Sequence, residues 1–225
     1  MGGFRWADPQ NRSAFAIAAP GYPLIFAAGF ATLIFALLEI AALALAGLVV
    51  TFFFCWFFRD PDRATPETEN AVISAADGKV VCVRPLESNP FGTGRCLNIG
   101  VFMNVFNVHV NRIPFDGTVA AIRYAPGRFY PADKDRAWRL NEHNAVIMRT
   151  ETGHEIAVVQ VAGLVARRII CTVAQNQNMT AGQRFGMICF GSRVDLYLPE
   201  NTESAVRVGD KVKAGQSIMG YLHLS

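Results

Sequence analysis

Residues 24–58 are apolar at nearly every position, and Glu39 is the single charge before Arg59. One helix through that stretch would be about 50 Å long at roughly 1.5 Å per residue. That overshoots the ~30 Å hydrocarbon core of a bilayer. The pattern therefore predicts two helices, residues 22–38 and 40–58, turning near Glu39. Residues 1–58 then read as an N-terminal membrane anchor built on a helical hairpin over about 22–58. A single tilted span, an in-plane hairpin and a hairpin buried in a soluble core also fit, because residues 36–42 hold no Gly, Pro or Asn to mark a turn. Arg5 and Arg12 precede the apolar run, and Arg59 and Arg63 follow it. The positive-inside tendency puts both ends of a spanning hairpin in the cytoplasm, at the cell membrane. Aromatic residues crowd the exit, from Phe52 to Phe58, as in an interfacial belt.

Pro61 and Pro66 stop the helix, and beyond them the pattern changes to period two. Short β-branched runs at 80–83, 96–102, 119–124, 145–149 and 156–161 are separated by Gly, Pro or Asp-Gly turns. Residues 59–225 thus predict a mainly β domain, sandwich- or barrel-like, with residues 129–142 as a polar loop or one short turn. There is a faint internal echo. Asp77-Gly-Lys-Val-Val and Asp116-Gly-Thr-Val-Ala each start a strand after Asp-Gly, and the Asp116 step reads as a hairpin-type turn. The tail, residues 206–222, repeats the grammar with turns at Gly209-Asp210 and Ala214-Gly215. It looks like the hairpin elements of biotinyl and lipoyl carriers, which makes a non-enzymatic, membrane-tethered module of that kind one alternative. Such carriers present a Lys at a hairpin tip, whereas Lys211 and Lys213 lie in the generic turn-and-strand portion.

Composition narrows the partners. A net charge of +3, with 21 Lys and Arg against 18 Asp and Glu, and no basic run interleaved with aromatics exclude a nucleic-acid surface. Five cysteines, an odd number without a Cys-x-x-Cys pair, argue against a disulfide scaffold and against a zinc site, so no metal is expected. They suit a reducing compartment.

The candidate chemistry lies at Gly191-Ser192. Gly tolerates a backbone that a Cβ would oppose, and Ser sets a hydroxyl beside the preceding carbonyl. Held bent, that hydroxyl can attack the Gly191 carbonyl and convert the amide to an ester. A bare Gly-Ser step is ordinarily a turn; its surroundings distinguish this one. Gln183-Arg-Phe-Gly-Met-Ile-Cys-Phe-Gly-Ser-Arg-Val-Asp resembles the processing site of the short-form, archaeal-type phosphatidylserine decarboxylases. Phe58-Arg-Asp-Pro-Asp-Arg63, Ala76-Asp-Gly-Lys79, Asn107-Val-His-Val-Asn-Arg-Ile-Pro114, Asn141-Glu-His-Asn144 and Ala162-Gly-Leu-Val-Ala-Arg-Arg168 match that family in the same order, from about Gly21 to the C-terminus.

The resemblance implies a proenzyme that cuts itself between Gly191 and Ser192. The products would be a β chain, 1–191, and an α chain, 192–225, which remain together as a heterodimer with a higher oligomer left open. Residue 192 becomes a covalent pyruvoyl group, derived from serine and named as pyruvate. The substrate amine condenses with its ketone, which supplies the electron sink for decarboxylation. The reaction would take phosphatidylserine to phosphatidylethanolamine and CO2, with a membrane phospholipid as partner. A pyruvoyl decarboxylase of a soluble amino acid is the other enzymatic reading, and an anchor disfavours it. His109 matches the first of two family histidines and is the candidate base. Arg112 stands where the second would be and cannot accept a proton. His143 is the reserve. Asp77 matches the family's acid, with a local turn role as the alternative. Arg167 and Arg168 are candidates for the lipid phosphate or for structural ion pairs.

Overall fold

The computed structural model describes residues 3–9, 16–132, 137–164, 168–189 and 191–223. Its chain divides into two compact units: Gln10–Asp62, and Met1–Pro9 together with Arg63–Ser225.

The first unit is helical. One 3-10 turn leads into α1 (Tyr22–Leu37), and α2 (Ala41–Phe57) returns. The turn between them has no Gly. Glu39 itself takes the left-handed conformation, φ 57°, and the Ile40 N–H reaches back to the Phe35 carbonyl at 3.0 Å, closing the end of α1 as a Schellman motif does. Small and polar residues face inward. Gly47 lies so close to Thr32 that a Cβ would overlap its hydroxyl. The Thr32 and Thr51 hydroxyls sit 3.4 Å apart, each donating to the carbonyl four residues earlier at 2.8 Å. The outer surface is apolar: Phe26, Phe30, Leu37, Leu45, Val49 and Phe52 are each at least 64% exposed. Residues 19–37 form a helical stretch long and apolar enough to cross a membrane, with mean hydropathy 1.7.

The second unit is β. Strand β1 (Gly3–Trp6) pairs with β2 (Ala64–Glu67), so the N-terminal residues belong to this unit. Next come β3 (Ala71–Ile73), β4 (Gly78–Leu86), β5 (Cys96–Met103), β6 (Val110–Arg112) and β7 (Gly117–Ala125). A single turn of helix, α3 (Ala137–Leu140), precedes β8 (His143–Arg149) and β9 (Glu155–Val161). The remainder is β10 (Ile169–Cys171), β11 (Asn178–Met179), β12 (Arg184–Ile188), β13 (Ser192–Pro199), β14 (Glu203–Ser204), β15 (Lys211–Val212) and β16 (Ile218–Tyr221). An eight-stranded antiparallel sheet runs β11-β7-β8-β9-β13-β5-β4-β15, with three-stranded sheets β10-β12-β6 and β14-β16-β3. Alternation along the strands sets the core: Val194, Leu196 and Leu198 of β13 join Ile99, Val101, Met103, Val146, Met148, Ile156 and Val158. Arg193 and Asp195 are also buried, as an ion pair 2.8 Å apart, and Gly100 leaves the space for it. Burial pushes the Asp195 carboxyl up, against the pull of the Arg193 guanidinium.

The Asp-Gly echo is an internal duplication. Strand β15 pairs with Gly78 and Lys79 in the register that β11 uses on Gly117 and Thr118. The Gly215 N–H donates to Ser74 and the Gly182 N–H to Ile113, both at 2.8 Å and both within an Ala-Gly-Gln sequence. Strands β4 and β7 bulge at the same place, between Val80 and Cys82 and between Val119 and Ala121. Ile73 donates to the Pro114 carbonyl and Arg112 to the Ala75 carbonyl, 2.9 Å each, the reciprocal exchange a local twofold axis produces. One copy is contiguous, residues 110–188. The other is split into 71–103 and 192–221, with the first inserted between its two pieces.

Candidate active site

Two spans carry the chain between the copies. Residues 104–109 leave β5 for β6, and residues 189–191 return from β12 to β13. Met103 lies opposite Ser192 at one end of this pair. At the other, the Ile188 N–H approaches the His109 carbonyl at 3.4 Å. Gly191-Ser192 is thus the point at which the chain re-enters the split copy.

Gly191 has φ +62°. A Cβ there would meet nothing within 4 Å, so glycine is required by conformation and not by space. Its carbonyl is confined. A side-chain carbon on Gly163 would overlap the Gly191 carbonyl oxygen and stand 3.3 Å from the Ala132 methyl group. Gly163 is itself held in place: the Ala162 carbonyl accepts from Asn141 Nδ2 at 2.7 Å, and the Ala162 N–H donates to Glu142 at 2.9 Å. Asn141 also clasps Tyr130, donating to its carbonyl at 2.8 Å and accepting from its N–H at 2.9 Å.

Ser192 is fully buried, and its hydroxyl donates to Met103 Sδ at 3.5 Å. Sulfur is a weak acceptor, so little holds the hydroxyl away from the neighbouring carbonyl. Met103 Sδ also receives Asn111 Nδ2 at 3.7 Å. Asn111 in turn accepts from Gln160 at 2.9 Å, and Gln160 accepts from Asn144 at 3.2 Å. This buried amide chain fixes the floor beneath the serine.

The other candidate residues are distributed unevenly. His109 is fully buried, on the span that starts at Met103. His143 opens β8 opposite Val161, and its Nδ1 is 2.9 Å from the Asn141 carbonyl. A carbonyl only accepts, so Nδ1 carries the proton and Nε2 is the basic nitrogen. Asp77 sits just before β4 and is engaged: Arg63 grips both its oxygens, with Nη2 at 2.8 Å, and the Ala214 N–H donates to it at 2.8 Å. Arg112 donates to the Gly182 carbonyl at 2.8 Å and lies 3.6 Å from the Asp8 carboxylate, so it is tied to the backbone and to the N-terminal segment. Arg168 is exposed beside the returning span, with its carbonyl 3.4 Å from the Cys189 N–H, while Arg167 lies outside the described residues. Burial pushes the Cys189 thiol up, against the opposing pull of Arg168. Among the described residues no group of three or more His, Cys, Asp or Glu could hold a metal.

Sequence reasoning passed over three residues. Gly163 and Arg63 stand inside motifs matched to the family, but the first motif drew attention to its arginines and the second to its helix break. Met103 carries no sequence signal; it emerges from strand register alone.

The β unit encloses a left-handed glycine beside a buried serine, and comparison with known proteins identifies the family to which the chain belongs. The sequence profile of phosphatidylserine decarboxylase matches residues 50–220. A phosphatidylserine decarboxylase proenzyme of Syntrophus aciditrophicus is 47% identical over 205 residues, covering 91% of this chain and 96% of the relative. Proenzymes of the same name from Geobacter sulfurreducens and Burkholderia mallei are 45% and 44% identical, each across 92% of this chain. The chain belongs to the phosphatidylserine decarboxylase family.

Proposed function

We propose that this chain decarboxylates phosphatidylserine to phosphatidylethanolamine after cutting itself between Gly191 and Ser192. The observation that carries the reading is the enclosed step: a left-handed Gly191, its carbonyl held against Gly163, next to a buried serine hydroxyl with a sulfur as partner. Ser192 Oγ attacks the Gly191 carbonyl carbon, and the amide C–N bond breaks as the ester C–O bond forms. Loss of the Ser192 α-proton then expels the Gly191 carboxylate. Addition of water with release of ammonia leaves a pyruvoyl group at residue 192. The site suits such a group. Residues 193–197 are paired to β5 on one side and β9 on the other, so residue 192 stays fixed at a strand end after the bond breaks.

A pyruvoyl carbonyl supplies the electron sink when the substrate carboxylate leaves as CO2. His109, buried on the span that runs from Met103, is the residue proposed to take the Ser192 proton and later to return one to the substrate α-carbon. His143 Nε2 is the reserve. Asp77 contributes by holding Arg63 and the Ala214 turn; its engagement there favours positioning over proton transfer. Arg168, beside the returning span, and Arg167 are proposed to meet the lipid phosphate. The helical unit, polar between its helices and apolar outside, suits a bilayer better than water. It is proposed to anchor the enzyme in the cell membrane from the cytoplasmic face.

Intact mass of the purified full chain together with CO2 release from phosphatidylserine tests this. Fragments of 1–191 and 192–225 with turnover are expected. One uncut chain with full activity would overturn the pyruvoyl reading. His109→Ala should slow processing, turnover or both, and wild-type behaviour would shift the role to His143.

A further inference from the structure

Strand register shows which loops share the Gly191-Ser192 end of the large sheet. Ser192 is opposite Met103, Arg193 opposite Val161, Val161 opposite His143, and His143 opposite Ala125. Loops 104–109, 126–142 and 162–168 therefore all leave from the end that bears the scissile step. Large apolar side chains stand open to solvent on them: Phe106 at 68%, Leu164 at 57% and Leu140 at 46%, with Tyr124 exposed at the end of β7. The charged side chains here are mostly basic. Arg123, Arg128, Arg139 and Arg168 are exposed, and Glu142 is half-buried, among the described residues. The loops at the opposite end differ in both respects. The loops and strand ends there carry Glu87, Asp116, Glu151, Glu155 and Glu200 with Arg5, Arg95 and Arg149, and loops 87–95 and 150–154 hold no exposed large apolar side chain among the described residues, the exposed Phe4 and Trp6 of that end lying on β1 instead.

Exposed apolar loops ringed by arginines fit one kind of partner, the surface of an anionic bilayer: the apolar tips enter the acyl boundary and the guanidinium groups meet phosphates. We infer that the Gly191-Ser192 end of the β unit is itself a membrane-docking surface, with Phe106, Leu140 and Leu164 as its inserting side chains. The surface would act in addition to the helical unit, and it brings the candidate site to the plane of the lipid head groups. The inference draws on the lipid-substrate reading for its purpose, but its test does not.

Single tryptophans replace Phe106, Leu164 and, as an opposite-end control, Glu151 in the full chain. Each variant is reconstituted into phosphatidylglycerol–phosphatidylcholine vesicles with or without bromine on the acyl chains, and the emission of the parent chain is subtracted. The added tryptophans of Phe106→Trp and Leu164→Trp should be quenched by brominated lipid, and that of Glu151→Trp should not. Absence of quenching at 106 and 164, equal quenching at 151, or a chain that does not join the vesicles would overturn the inference. A second arm uses Phe106→Asp with Leu164→Asp, chosen to self-cleave as the parent does. The ratio of turnover on vesicles to turnover on monomeric short-chain phosphatidylserine should fall about tenfold, and an unchanged ratio would overturn docking. If no lipid is turned over by the parent, the decarboxylase reading fails while the quenching result still stands.

Discussion

The two copies in the β unit join equivalent strands in different ways. In the contiguous copy, β8 and β9 are linked by residues 150–154, a turn satisfied from within: Thr150 receives the His154 N–H on its hydroxyl at 3.1 Å and gives its own N–H to the His154 carbonyl at 2.9 Å. In the split copy, β5 and β13 meet at Met103 and Ser192, but the chain between them makes the whole excursion through the other copy. Both junctions place a glycine at positive φ, Gly153 at +84° and Gly191 at +62°. A left-handed glycine therefore does not by itself set the Gly191-Ser192 junction apart. The difference is enclosure. Nothing lies within 4 Å of a Cβ at either glycine, but the Gly191 carbonyl is pinned against Gly163 and the following serine is buried.

That contrast can be broken most completely by Ser192→Ala, which removes the attacking hydroxyl. The chain should stay whole and inactive, and paired fragments on a denaturing gel would contradict the assignment. Next comes Gly163→Ala against Gly153→Ala. The first forces the Gly191 carbonyl to move and should slow fragment formation at least tenfold, about 1.4 kcal/mol in the barrier. The second should leave processing at the parent rate and lower stability by roughly 1 kcal/mol for the left-handed backbone. A time course of the two variants after synthesis separates them.

The duplicated aspartates sharpen the comparison through stability. Asp77→Asn strips a buried Arg63 of its partner and should destabilise by about 3–5 kcal/mol. Asp116→Asn weakens a solvent-exposed pair with Arg5 and should cost below about 1 kcal/mol. Denaturant midpoints of the two variants measure the gap. The smallest effect is expected at Cys189. A thiol raised by burial holds less thiolate near neutrality, so alkylation should be slower than for a free cysteine and should accelerate only well above its usual range. Arg168→Gln removes the opposing charge and should slow it slightly further.

Much of this was legible in the sequence, and the limits have physical causes. The mainly β fold followed from period-two runs and Asp-Gly turns. Gly191-Ser192 stood out through the residues around it, which resemble a family's processing site, since a bare Gly-Ser step is ordinarily a turn. The duplication showed only as two Asp-Gly steps, since its equivalence lies in hydrogen-bond register and not in side chains. The helix turn near Glu39 was placed by the length of the apolar run and not by a turn residue; the Ile40 N–H closes the backbone there. Met103 and Gly163 touch the Gly-Ser step through a soft sulfur and a close backbone approach, contacts that no local pattern encodes.

Strand β13 lies between β9 and β5 in the middle of the large sheet, β15 pairs with β4 at one edge of that sheet, and β14 and β16 form a second sheet with β3, all from the same short stretch of chain. A fragment that begins at residue 192 would therefore be woven into its partner rather than docked on it. Its departure would require the core to open, so the cut protein should not lose subunits on dilution or trade them with other molecules. Activity per molecule should be the same at nanomolar and micromolar concentration, and a labelled 192–225 fragment should fail to exchange into processed enzyme while that enzyme stays folded.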